Sequence, residues 1–127
     1  METQMTELTL TIPLVPPGLN HATKHTRTGR HYKTKESISF REAVRLFLRD
    51  QFVVGNQFAV GIFVYRGAKQ KGDVDGYLKE VLDGLSKAGA FRNAKGKILT
   101  DDCVKHITAS KDRDIENPRT MVMIKAL

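Results

Sequence analysis

The stretch from Asp73 to Gly89 constrains the fold of this chain more than any other. Val74, Tyr77, Leu78, Val81, Leu82, Leu85 and Ala88 recur at three- and four-residue steps, which lines them along one side of an α-helix ending at Gly89. A stripe that complete has to be buried against a second layer. Leu8, Leu10, Ile12 and Leu14 alternate with Thr9, Thr11 and Pro13, and Phe58, Val60, Ile62 and Val64 alternate in the same way. That period of two predicts strands with one buried face. Thr34 is placed to cap another helix, carried by Ile38, Phe40, Val44, Phe47 and Leu48 to about Gln51, and Gly55-Asn56 marks a turn. Cys103 to Ser110 and Thr120 to Lys125 read as two further strands, joined by the charged segment from Lys111 to Arg119. The expected order is β-α-β-α-β-β, an α/β domain with two main helices.

With 127 residues and 40% hydrophobic content, one core is affordable and two are not, so residues 1–127 are read as a single domain. No stretch approaches the run of about 18 apolar residues needed to span a membrane. The polar start Met1-Glu2-Thr3-Gln4 lacks the order of a signal peptide, so a soluble, cytoplasmic protein is expected. Cys103 is the only cysteine; an internal disulfide, a Cys-x-x-Cys pair and a cysteine-rich zinc site are excluded, and packing is its expected role. Lys and Arg number 21 against 14 Asp and Glu, leaving +7. Such a balance favours a polyanionic partner such as nucleic acid, and is equally compatible with an anionic membrane surface or a merely well-solvated protein.

The positive charge is concentrated. Between Leu19 and Lys35 there are few large apolar residues but His21, Lys24, His25, Arg27, Arg30, His31, Lys33 and Lys35, which predicts a long basic loop after the stop at Pro16-Pro17-Gly18. The histidines do not follow a common zinc spacing. Arg66, Lys69 and Lys71 form a second basic run, and Arg92, Lys95 and Lys97 a third, read either as a phosphate-contacting lip or as a disordered loop with no role.

Where the second run meets the helix stands Asp73-Val74-Asp75, with Lys79 one turn on and Asp101-Asp102 before a later strand. Carboxylates from separate elements beside basic segments are what a metal-dependent phosphodiesterase requires. A hard ion such as Mg²⁺ takes one or two protein carboxylates and completes its shell with water and phosphate oxygens. A lysine can share the stabilisation of negative charge in the transition state. Each piece alone has an ordinary explanation: Asp73 can cap its helix, Asp75 and Lys79 can be an exposed pair, and a second Asp-x-Asp occurs at Asp112 and Asp114 in an expected loop.

The run Gly72-Asp73-Val74-Asp75-Gly76-Tyr77-Leu78-Lys79, followed by Leu82-Asp83-Gly84-Leu85, Lys87-Ala88-Gly89 and Asp101-Asp102, resembles the RusA family of Holliday junction resolvases. Pro16-Pro17-Gly18-Leu19-Asn20 is similar to the turn that follows that family's first strand. The resemblance implies a small two-layer α/β fold with a mixed sheet. It also implies metal carboxylates at Asp73, Asp75 and Asp102, an essential Lys79, and Asp101 as a near neighbour. Gly18, Leu19, Asn20 and His21 match DNA-contacting segments, as does the stretch that begins at Lys69; Lys24, Arg27, Arg30, Arg66 and Lys71 extend that expected surface. The implied activity is a Mg²⁺-dependent endodeoxyribonuclease, with Mn²⁺ as an alternative ion. Acting as a homodimer on branched DNA, it would resolve Holliday junctions by paired nicks in recombination and repair. Two departures stand out: Gly76 replaces an asparagine, and 11 residues separate Gly89 from Asp101 where a few are usual. The alternatives are a junction-binding protein with weak or lost catalysis, and a nuclease acting on other branched DNA or on RNA.

Overall fold

A computed structural model describes residues 2–17, 23–25, 31–68 and 74–127 of the chain. Twelve elements of three kinds follow in order: β1 (Thr3–Met5), β2 (Glu7–Ile12), β3 (Thr23–His25), β4 (His31–Lys33), α1 (Lys35–Leu48), β5 (Gln51–Val54), β6 (Phe58–Arg66), α2 (Val74–Lys87), β7 (Phe91–Arg92), a 3₁₀ turn (Asp101–Cys103), β8 (Val104–Arg113) and β9 (Arg119–Ala126). The main sheet has the order β2-β9-β6-β8, with β6 and β8 parallel and both β2 and β6 antiparallel to β9. This is the expected mixed sheet, with the two helices against one face.

The alternating strands behave as their pattern requires. Leu8, Leu10 and Ile12 on β2, Phe58, Val60, Ile62 and Val64 on β6, and Val122 and Ile124 on β9 point into one core. Tyr77, Val81, Leu82 and Leu85 of α2, and Phe40, Val44 and Leu48 of α1, close it from above. The Thr34 side chain accepts a hydrogen bond from the Ser37 amide at 3.3 Å, the expected cap.

Several boundaries differ from the sequence reading, each for a local reason. The first strand stops at Ile12, because the chain bends at Pro13 and the Leu14 carbonyl instead accepts from the Thr120 hydroxyl at 2.8 Å. Helix α1 ends at Leu48, since Arg49 and Asp50 take left-handed backbone angles with φ of 55° and 59°. Ile38 lies outside the stripe formed by Phe40, Val44 and Leu48 and is exposed. The basic segment contains a paired ribbon, with Thr23 opposite Lys33 and His25 opposite His31. A second sheet, β1-β5-β7, has all its strands parallel and too short to leave an alternating signal. β8 continues to Arg113, so Asp112 belongs to a strand and not to a loop.

The two helices run in the same direction. Ser37 of α1 meets Glu80 of α2, Arg41 meets Asp83, and Val44 meets Gly84, so position advances together along both. The α2 start therefore lies at the Arg66 end of β6. Its far end lies where β6 begins, because the Val53 amide donates to the Ala90 carbonyl and the Phe58 and Phe91 rings are 5.1 Å apart.

Candidate active site at the start of the second helix

Asp75 sits in the first turn of α2 and is exposed, as is Lys79 one turn later. Both occupy the outer side of a helix whose inner side is committed to the core, so neither is consumed by packing. The N-terminus of an α-helix carries a partial positive charge that favours anions. Among the described residues no ion pair involves Asp75, Lys79 or Asp102. The carboxylate and ammonium are thus free to act on a ligand.

Of the residues expected to touch DNA, Gly18, Leu19, Asn20, His21, Arg27, Arg30, Lys69 and Lys71 lie outside the described residues, as does Asp73. Lys24 is in β3, paired with Tyr32. Arg66 closes β6, with its Nε buried and lacking a hydrogen-bond partner among the described residues. Both roots of the basic segment are at the Asp75 end of the molecule. Ile12 is opposite Thr120 and Thr120 opposite Val64 near the end of β6, while Thr34 leads into the start of α1. The ribbon and the start of α2 thus share one end of the fold.

Asp101 and Asp102 are elsewhere. They form the exposed 3₁₀ turn that feeds β8, and β8 starts with Val104 opposite Phe58, the beginning of β6. Helix α2 has 14 residues. At 1.5 Å per residue its ends are about 20 Å apart, and Asp75 belongs to one end and Asp102 to the other. Among the described residues no group of three or more His, Cys, Asp or Glu side chains converges on a common point. A single hard cation needs only one or two carboxylates, and exposed Asp75 suits it. Of the set expected from the sequence, Asp73 lies outside the described residues, and Asp75 and Asp102 do not meet at one ion within one chain. Cys103, next to Asp102, is half-buried against the core; burial pushes its thiol up from the ordinary value, helped by the charges of Asp101 and Asp102 and opposed by a backbone hydrogen bond. It packs as a neutral thiol, the role expected of it.

The segment from Ala90 to Thr100 is ordered. Asn93 Oδ1 accepts from the amides of Lys95 and Lys97, and the Leu99 amide donates to the Phe91 carbonyl at 2.8 Å. Arg92 is committed to structure: it pairs with Glu2, donates to the Gly89 carbonyl at 3.0 Å and lies 4.2 Å over the Phe52 ring. Only Lys95 and Lys97 of the expected lip project freely, at the exposed tip of the turn.

Sequence reading missed Glu80. It is 2% exposed, accepts from the Ser37 hydroxyl at 2.8 Å and is held by Arg41, which also reaches Asp83. Its place one residue beyond Lys79, on the side turned to α1, was the available signal.

The structure is thus a two-layer α/β domain with a solvent-facing carboxylate and lysine in the first turns of α2. The chain matches the family model for endodeoxyribonuclease RusA over residues 13–125, most of its length, and belongs to that family of endonucleases. No curated protein matches it. Among the described residues no helix is long and apolar enough to cross a membrane.

Proposed function

We propose that this protein is a cytoplasmic, Mg²⁺-dependent endonuclease that resolves four-way DNA junctions by paired nicks, working as a homodimer, with Mn²⁺ able to replace Mg²⁺. The observation that carries the reading is the family match combined with an exposed, uncommitted Asp75 and Lys79 at the end of the fold where the basic segment is rooted. Asp75 supplies oxygen ligands, with Asp73 beside it in sequence, and Lys79 offers its ammonium to the phosphate where charge develops. The basic segments bind backbone phosphates without reading sequence, so affinity falls steeply as salt rises.

A synthetic four-way junction, the matching linear duplex and an RNA duplex, each with Mg²⁺ or with chelator, test the reading. The junction alone should be cut, only with the ion, into two nicked linear duplexes. Equal cutting of the linear duplex or of RNA would replace it with a general nuclease. Binding of the junction without cutting would favour a recognition protein, a second reading supported by the separation of Asp75 from Asp102 within a chain.

Lys79→Ala should slow cleavage at saturating protein more than it weakens junction binding, because the ammonium is placed to act in the transition state. Loss of affinity with an unchanged single-turnover rate would make Lys79 a plain phosphate contact.

A further inference from the structure

The five residues from Asp114 to Pro118 join β8 to β9, and those two strands flank β6 on opposite sides. The connection therefore crosses over the end of β6, where the Asp114 amide donates to the Arg66 carbonyl at 2.9 Å. That is the end of the fold at which α2 starts and the basic segment is rooted. We propose that this turn is a DNA-reading tip: Arg113 holds a backbone phosphate, and Ile115 covers a base face left open at the branch point of a four-way junction. This rests on the junction reading above, and adds a means of telling a branch from a linear duplex.

The turn is fixed through backbone atoms. The Asn117 amide donates to the Asp114 carbonyl at 3.3 Å, and Arg119 donates to the Asn117 carbonyl at 3.0 Å while its guanidinium lies 4.0 Å over the Tyr65 ring. A segment held in this way loses little freedom on binding. Within it Ile115 is 63% exposed. In a continuous duplex an apolar side chain reaches a base face only by unstacking a step. At a branch point the stack is already interrupted, so Ile115 gains the contact without that cost.

Arg113 stands at the root of the turn. Its Nη1 donates to the carbonyls of Gly67 at 2.7 Å and Ala68 at 3.1 Å, which sets the plane of the guanidinium. Among the described residues its Nε and Nη2 make no hydrogen bond and no carboxylate pairs with it. Those two nitrogens share the edge that grips a phosphate with two parallel bonds. Asp114 does not oppose this, because its carboxylate is paired with Arg119 at 2.8 Å. Glu116 is exposed and outside any ion pair among the described residues, so phosphates are repelled from the tip and favoured at Arg113.

Binding without cleavage, measured by fluorescence anisotropy in chelator over a range of salt, tests both contacts on a four-way junction and the matching linear duplex. Ile115→Ser should weaken junction binding about tenfold, the equivalent of burying one isoleucine side chain, and leave duplex binding and the salt slopes unchanged. 2-Aminopurine at the branch point should change its fluorescence on binding wild type and not on binding Ile115→Ser. Arg113→Gln should weaken binding to both DNAs and reduce the slope of log affinity against log salt by roughly 0.9, the effect of one phosphate contact. Arg113→Lys keeps the charge without the planar fork and should retain the slope. A merely structural arginine would leave the slope unchanged in Arg113→Gln, which would overturn the phosphate contact. Equal weakening of junction and duplex by Ile115→Ser, or of neither, would overturn the base contact. Wild type that binds neither DNA would remove the junction reading itself; wild type that prefers the junction, with both variants unaffected, would overturn this inference alone.

Discussion

Glu80→Ala is expected to cost about 3–5 kcal/mol of folding stability, the magnitude typical of breaking a buried ion pair from one side. Glu80 lies between the two helices and accepts from Ser37 and Arg41. The Arg41 side chain is itself only 13% exposed, so its charge would be left with Asp83 as an incomplete partner. The Ser37 hydroxyl, fully buried, would lose its acceptor at the same time. Urea unfolding followed by circular dichroism measures the effect. Asp83→Asn, on a more exposed carboxylate, should cost far less. The double change Glu80→Leu with Arg41→Met should recover much of the loss, since an apolar pair of similar volume replaces the buried charges together. A Glu80→Ala protein with unchanged midpoint would show that the helices are held by their apolar contacts alone.

Asp75→Asn is expected to abolish Mg²⁺-dependent junction cleavage while leaving the fold and DNA binding intact. Removing a second-layer partner of a metal ligand costs 10- to 100-fold, so loss of a ligand itself should cost at least about 100-fold. The carboxylate is exposed and no ion pair holds it among the described residues, so unfolding should not move. Binding should hold or tighten slightly, because a neutral amide removes repulsion from the phosphates. Asp73→Asn and Asp102→Asn should behave alike. Asp114→Asn is the control: Asp114 pairs with Arg119 at 2.8 Å and caps the Asn117 amide, a structural role whose loss should leave cutting unchanged. An active Asp75→Asn protein with an inactive Asp114→Asn protein would move the catalytic assignment to the second Asp-x-Asp.

The parts of this fold that were legible in the sequence are those in which burial repeats over several residues. β2 and β6 alternate, α2 carries an uninterrupted stripe, and Thr34 caps α1 as its chemistry suggests. The illegible parts are set by contacts distant in sequence. β5 and β7 contribute four and two residues, too few for a period, and exist because β1 and the end of α2 are brought beside them. Glu80 reads as one more charge on a helix until Ser37 and Arg41 are seen opposite it. For the candidate site, residue types and spacing identified Asp75 and Lys79 as outward-facing on one helix. They could not reveal that Asp102 is at the opposite end, because the length of α2 and the parallel pairing of β6 with β8 decide that in three dimensions.

The position of β9 bears on when such a chain can fold. It follows every other strand in sequence yet lies inside the main sheet, bonded to β2 on one side and β6 on the other. During synthesis, β2 and β6 therefore emerge with no strand between them, and Leu8, Leu10, Val60 and Ile62 wait in an unclosed core. The sheet closes only after residues 119–126 have left the ribosome, so folding of this domain waits for the emergence of β9. Such delay exposes apolar strand edges to chaperones and to neighbouring chains. A nascent chain stalled before Arg119 should be open to protease throughout, and gain resistance in one step once β9 is free to insert.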